Sequence, residues 1–329
     1  MNKTQPSEAA SSRHDPYAAF RIPAYRAYVL GWFIASIGTR IQSVAIGWEM
    51  YQRTGEPLAL GLVGLAQALP TMLLALPAGF LADKFSRPRL VMISLSAMTV
   101  TSLGLALLSY TAGSTNLMYA LLFLDAAAVM IGRPARVALV PQLVPTKVFP
   151  NAVTWNTSLM QISGVLGPAL GGLIVAINVP SAYVVTALTS LLFMIMLSRL
   201  RFRADGPRAG TASVGTLLAG IRFVWNARIL LTMISLDLFA VLLGGAVYLL
   251  PIYAEDILNV GATGFGWLRA APAIGAFCMA ILMVYMPPMK RAGWGLLLNV
   301  AGFGLATIVF GFFKSFWLSF FMLCPDRCV

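Results

Sequence analysis

Apolar runs of about 20 residues recur along this chain, separated only by short polar segments, and nothing else limits its fold so strongly. The hydrocarbon core of a bilayer offers no partners to backbone N–H and C=O groups, so each run must satisfy them internally and cross as an α-helix. Spans are expected at about 27–50, 58–82, 89–112, 117–142, 152–177 and 181–200. After a polar linker come 229–253, 263–285 and 293–313, then a shorter run at 315–323. Composition agrees: 59% of the 329 residues are hydrophobic, 10% are charged and mean hydropathy is +0.83. A soluble domain carries about a quarter charged residues. The fold class is an all-α polytopic membrane protein.

A net charge of +12 would suggest nucleic acid in a soluble protein, but here the cations lie in short loops without stacking aromatics beside them. Their distribution reads instead as topology. With the N-terminus inside, the tail and the loops after helices 2, 4, 6 and 8 hold eighteen Lys and Arg residues, among them Lys84, Arg87, Arg89, Arg133, Arg136, Lys147, Arg199, Arg201 and Lys290. The opposite face holds only Arg53 and Lys314, so the N-terminus is expected in the cytoplasm of a multi-pass cell-membrane protein. Residues 1–16 read as a disordered cytoplasmic tail, and Tyr17, Phe20, Tyr25 and Tyr28 as an interfacial aromatic belt. The linker, residues 201–228, carries an amphipathic stretch through Leu217, Leu218, Ile221, Phe223, Val224 and Trp225, suited to the membrane surface. It divides an N-terminal half, 17–200, from a C-terminal one, 229–329.

Several chemistries are set aside by residue type. His14 is the only histidine, and Cys278, Cys324 and Cys328 have neither disulfide nor metal-ligand spacing. There is no Gly-x-x-x-x-Gly-Lys-Ser/Thr, so ATP drives nothing within this chain. No enzyme activity, cofactor or nucleic-acid partner is expected.

Between the second and third spans lies Gly79-Phe-Leu-Ala-Asp83-Lys84-Phe-Ser-Arg87-Pro-Arg89, a polar hinge in which Pro88 forces a turn and Gly79 is expected to admit another backbone. It resembles the Gly-x-Leu-Ala-Asp-Arg-x-Gly-Arg-Arg/Lys loop of the major facilitator superfamily, with Ser86 where that family usually has Gly. An internal repeat supports two parallel halves. At an offset of 202 residues, Gly64 falls on Gly266, Gln67 on Arg269, Pro70 on Pro272 and Arg89 on Arg291.

On the fifth span, Gly164, Gly167, Pro168, Gly171 and Gly172 follow helical spacing and leave one face nearly bare backbone. The stretch resembles the Gly-x-x-x-Gly-Pro-x-x-Gly-Gly signature of proton-linked drug antiporters, which implies export. Ionisable groups at membrane depth are costly and default to function, so Arg40, Asp125, Arg133, Asp237 and Arg269 are candidates for proton coupling or for lining the cavity. Arg40 is the expected partner of Asp237, and Arg133 matches the helix 4 arginine of drug exporters, where relay and surface anchor are equally good readings. Gln67, Asn156 and Gln161 are weaker candidates. The segments 45–55, 133–141 and 249–258 are similar to the enterobactin-exporter-like branch, which includes macrolide efflux proteins.

The resemblance implies secondary active export of small amphipathic, drug- or siderophore-like molecules by alternating access, with protons as counter-ion and a monomer in the lipid bilayer. It also implies twelve helices, so a frameshift or premature stop is the expected account of an end part-way through the tenth. The alternative left open is a truncated, non-transporting fragment or scaffold. Cysteine labelling should find residues 84–89 and 201–210 in the cytoplasm and residues 112–116 outside; labelling of the 84–89 loop from the outer face would overturn that topology.

Overall fold

The computed structural model describes residues 15–200, 231–232, 235, 246–285, 301–302, 304–311 and 315–324. Every regular element among them is helical. Six helices are long and apolar enough to cross a membrane: α1 (Pro23–Thr54), α2 (Pro57–Lys84), α3 (Arg87–Tyr110), α4 (Thr115–Leu143), α5 (Phe149–Ile177) and α6 (Val179–Ser198). They are followed by α7 (Ala246–Ile252), which runs into a π-helical turn (Tyr253–Ile257), by α8 (Gly261–Tyr285), by helical residues 304–311 and by α9 (Phe316–Leu323). The connector 201–228 and Asp237 lie outside the described residues.

Proline sets most helix starts. Pro23, Pro57, Pro88, Pro150 and Pro180 occupy the first two positions of α1, α2, α3, α5 and α6, where a missing N–H costs nothing and the fixed φ suits the helix. Helix α1 stops at Gly55, whose φ of 65° turns the chain and lets its N–H reach Tyr51 O at 2.8 Å. Asn178 alone separates α5 from α6.

Helix α1 packs on α5 and α6, α3 on α4 and α6, α2 on α4, and α8 on α5. Two apolar cores result. One joins residues of the first six helices, such as Val44, Trp48, Leu105 and Tyr183, to Leu250, Phe265, Leu268 and Phe310 of the later helices. The other, at the end where α1 begins, is built from residues 19–200, including Tyr25, Val91, Leu139 and Phe193. The two halves therefore share a core near the end of α1 opposite the N-terminus.

The expected aromatic belt holds only in part. Tyr17 is exposed, but Tyr25 and Tyr28 are buried and donate to Ala152 O at 2.7 Å and Arg136 O at 2.8 Å, so α1 begins four residues earlier than its apolar run. Residues just before α1 strap onto the start of α5: Pro16 O accepts from Asn151 Nδ2 and Trp155 Nε1, each at 2.8 Å. Arg136, counted above among loop cations, is buried on α4, with its guanidinium 4.2 Å from the Trp32 ring centre and Nη2 donating to Val129 O. An aromatic face and a helical carbonyl offset the loss of water there.

At its far end α1 is fixed by charge. Arg53 pairs through Nη2 with Glu49 one turn earlier at 2.5 Å; the same nitrogen lies within hydrogen-bond reach of Leu108 O and Ser109 O, and Nη1 donates to Gly113 O. Leu108 O and Ser109 O lie in the last turn of α3 and Gly113 O in the turn that follows it, where carbonyls lack intrahelical donors and a cation is favoured. Tyr183 of α6 donates to Glu49 Oε2 at 2.7 Å, which ties three helices together. Arg53→Met should lower stability by about 3–5 kcal/mol because Glu49 would stay buried without its counter-charge. The double variant E49Q/R53M should lose clearly less. Thermal denaturation of the purified protein in detergent separates the two cases.

Candidate functional site

The first face of the site is built by absent side chains. An added Cβ at Gly172 would come within 2.7 Å of Ala262 O and 2.8 Å of Gly266 Cα, while one at Gly266 would meet Pro168 O at 2.6 Å. Gly164 faces the Ala273 methyl group, which an added Cβ would meet at 3.2 Å. Helices α5 and α8 thus touch backbone to backbone, as small-residue stripes allow in lipid. The other glycines serve a second neighbour: Gly167 lies under the Arg40 stem, and Gly171 under Val44 and Ile41 Cα of α1. One stripe in sequence therefore packs two helices, each from a different half.

Polar contacts cross the same junction. Arg269 of α8 donates through Nη2 to Ser43 Oγ of α1 at 2.7 Å, and its guanidinium lies 5.8 Å from the Phe265 ring centre. Phe265 stacks on Trp48 with centroids 5.8 Å apart. Nearer the end of α1, the Tyr51 hydroxyl donates to Asp256 Oδ2 in the π-helical turn. An added Cβ at Gly64 of α2 would meet the Tyr248 ring of α7 at 3.3 Å. The structure thus brings Arg40, Arg269 and the α5 stripe into one seam.

Asp125 stands apart from that seam, inside the N-terminal half between α4, α1 and α3. Its Oδ2 accepts from Gln42 Nε2 at 3.2 Å and its Oδ1 from Thr101 Oγ1 at 2.8 Å. Ser102 Oγ donates to Gln42 Oε1 at 2.7 Å. Gln42, Thr101 and Ser102 are buried, and Asp125 is half-buried.

The hinge lies at the other end of the bundle. Asp83, Lys84 and Arg89 are exposed, and Lys84 Nζ lies 5.7 Å from the Phe80 ring centre. Arg87 Nη1 donates to Ala138 O of α4 at 3.0 Å, which anchors the start of α3. Gly79 departs from expectation: an added Cβ meets no atom within 4 Å, so no backbone approaches it here.

The weaker candidates are scattered. Arg133 is exposed, one turn before buried Arg136. Gln67 is half-buried, and its carbonyl accepts from Thr71. Asn156 and Gln161 are half-buried on α5, and Asn156 Oδ1 is buried without a hydrogen-bond partner among the described residues. Among the described residues no group of three or more His, Cys, Asp or Glu could hold a metal. Sequence reasoning missed Gln42, Thr101, Ser102, Ser43, Glu49 and Tyr51. For Glu49 the signal was available, since an acid four residues before Arg53 forms an i,i+4 pair on a helix.

Six membrane-length helices joined through a glycine-lined seam to further helices, with a charged hinge after the second span, are the marks of a membrane transporter of the major facilitator type rather than an enzyme. The chain belongs to the transmembrane secretion effector family of that superfamily, matching it over residues 14–325. It is 28% identical over 302 residues to the multidrug efflux pump Tap of Mycobacterium tuberculosis (strain ATCC 25618 / H37Rv), covering 85% of this chain and 69% of Tap. It is 25% identical over 291 residues to the enterobactin exporter EntS of Escherichia coli O1:K1 / APEC, covering 88% of this chain and 70% of EntS. Its fold matches a bacterial homolog of the human lysosomal transporter Spinster, crystallised inward-facing and unoccupied, with a TM-score of 0.67 at 17% identity over 94% of this chain and 74% of that one.

The backbone contact yields a direct test. Gly172→Leu overpacks the seam at a cost of about 1–3 kcal/mol, so the α5–α8 contact should open in a roughly tenfold or larger fraction of molecules. In a background without native cysteines, a thiol introduced by Ala262→Cys, 7% exposed here, should then react roughly that much faster with a membrane-impermeant maleimide.

Proposed function

We propose that this protein exports small amphipathic molecules, of the drug or siderophore kind, across the cell membrane by alternating access with protons as the counter-ion. The observation that carries the reading is the seam itself, a glycine-lined contact with a few neutral or lone-charge hydrogen bonds, formed at one end of the bundle. Such a contact is tight enough to exclude solvent yet broken at modest cost, since an interhelical hydrogen bond in a membrane is worth about 1 kcal/mol. The charge asymmetry supports an N-terminus and an 84–89 hinge on the cytoplasmic side, and with that orientation the described state is the one closed to the outside. Export is supported by the likeness to Tap and EntS, and by the antiporter-like stripe on α5.

In this scheme residues 17–200 form one moving half and residues from 229 onward belong to the other. Asp83 with Lys84, Arg87 and Arg89 biases the equilibrium between the two arrangements, because an acid at that hinge can find a cationic or helix-terminal partner in only one of them. Arg40 and Arg269 line the pathway, and Arg133 marks its cytoplasmic mouth.

Proteoliposomes holding the purified chain and an acid interior test this reading with ethidium as the probe. Ethidium should accumulate in vesicles with the chain's cytoplasmic face outward, and nigericin should abolish accumulation. Asp83→Asn should lower the initial rate by an order of magnitude or more at equal protein content, as expected when about 1.4 kcal/mol of bias is lost. Accumulation equal to that of protein-free vesicles would overturn the reading.

A further inference from the structure

Asp125 is an acid at membrane depth with, among the described residues, no cation beside it. The ion pairs among the described residues are Arg21–Asp15 and Arg53–Glu49, both elsewhere. On α1 the charged groups are exposed Arg26 near its start, Arg40, whose stem lies against Gly167 of α5, and the Glu49–Arg53 pair at the far end. Helix α3 has no charged residue between Leu90 and Tyr110, and on α4 itself Arg133 and Arg136 follow two turns or more later. Helix α2, also packed on α4, carries charge only at Asp83 and Lys84. Nearby titratable Tyr119 donates to Ala59 O at 3.1 Å, away from Asp125. What faces the carboxyl group is neutral: Gln42, Thr101 and, behind them, Ser102.

Those neutral groups accommodate two protonation states with the same heavy-atom positions. Ser102 donates to Gln42 Oε1, which turns the Gln42 N–H toward Asp125 Oδ2 in either state. Thr101 Oγ1 lies 2.8 Å from Asp125 Oδ1 and 3.0 Å from Met98 O, and has one proton to give. With a charged carboxylate, that proton goes to Oδ1. When Oδ1 gains a proton it donates to Thr101 Oγ1, and the Thr101 hydroxyl swings to Met98 O, whose second lone pair is available. No donor is left unpaired in either arrangement, so one proton can be taken from water and returned by rotating a single hydroxyl.

We propose that Asp125 is a proton-binding site of the N-terminal half, with Thr101 as its hydroxyl partner and the Gln42–Ser102 pair as the group that orients it; this rests on the proton-coupled reading above. The site is linked to the seam through α1. Gln42, which reads the state of Asp125, is the residue before Ser43, which holds Arg269 of α8, and neighbours on a helix differ by about 100° in direction. A shift of α1 that alters one contact alters the other.

Infrared difference spectra between acid and alkaline pH, on the full chain in lipid nanodiscs, test the site without reference to transport. The wild type should show the C=O stretch of a protonated carboxylic acid that is lost as pH rises. Asp125→Asn should abolish that band, Asp125→Glu should restore one, and Thr101→Val should shift it upward in frequency by removing its hydrogen-bond partner. Circular dichroism and size-exclusion profiles matching the wild type establish that the variants are folded; should Asp125→Asn fail to fold, the frequency shift in Thr101→Val decides alone. Unchanged carboxylic bands in folded Asp125→Asn, or an unshifted band in folded Thr101→Val, would overturn the proposal. A titrating Asp125 band in a protein that does not move ethidium against a pH gradient would count against antiport and not against the site.

Discussion

The contact between Gly172 and Gly266 sets the geometry of everything around it. In lipid no hydrophobic force draws two helices together, and their attraction comes from close packing and dipoles. Ordinary side chains hold helix axes about 8–10 Å apart, whereas here a Cβ on either glycine would fall within 3 Å of the other helix's backbone. Only at that approach does Phe265 reach Trp48 and Arg269 reach Ser43. The same helix is thinned on its other flank by Gly167 and Gly171, so α1 also closes on it. Helix α5 is in effect a spacer between halves, kept narrow on two sides.

Much of this was legible in the sequence, because the signals were local. Pro88, Pro150 and Pro180 mark helix starts through φ and a missing donor, and apolar runs ending in charge mark the spans between them. The i, i+3, i+4, i+7, i+8 glycines announced a bare face but not which helices would share it. That outcome depends on two partners, α1 and α8, far away in the chain. Gly79 misled for the converse reason: its neighbours in sequence suggested a close backbone, and in this arrangement none comes near. Arg136 misled because a cation near a span's end snorkels or is buried according to whether an aromatic face awaits it, and Trp32 is a hundred residues away.

Gln42, Thr101 and Ser102 were illegible on other grounds. A lone Thr or Ser in a transmembrane run commonly bonds its own helix, as Thr99 does to Leu95 O and Ser96 to Met92 O. Nothing in the sequence distinguishes Thr101 from Thr99. The difference is rotation about α3, two positions and about 200°, which turns one hydroxyl toward Asp125 and the other away. Buried polar networks are specified by register between helices, and register is a property of the assembled bundle.

Helix α1 shows how such a bundle can move as a unit. Its 32 residues span about 48 Å, the full depth of a bilayer with its headgroups. It is fastened to its own half at both ends, by Tyr28 to Arg136 O and by the Glu49–Arg53 group to α3 and α6, and in the middle by Gln42 to Asp125. Breaking the buried ion pair by losing one partner costs about 3–5 kcal/mol. Among its contacts with the later helices are Ser43 to Arg269, Tyr51 to Asp256 and the Trp48–Phe265 stack, where a hydrogen bond to a charged group nets about 1.5–3 kcal/mol and an aromatic pair about 0.5–1.5 kcal/mol. The seam is thus where α1 and α5 of the first six helices meet the later ones.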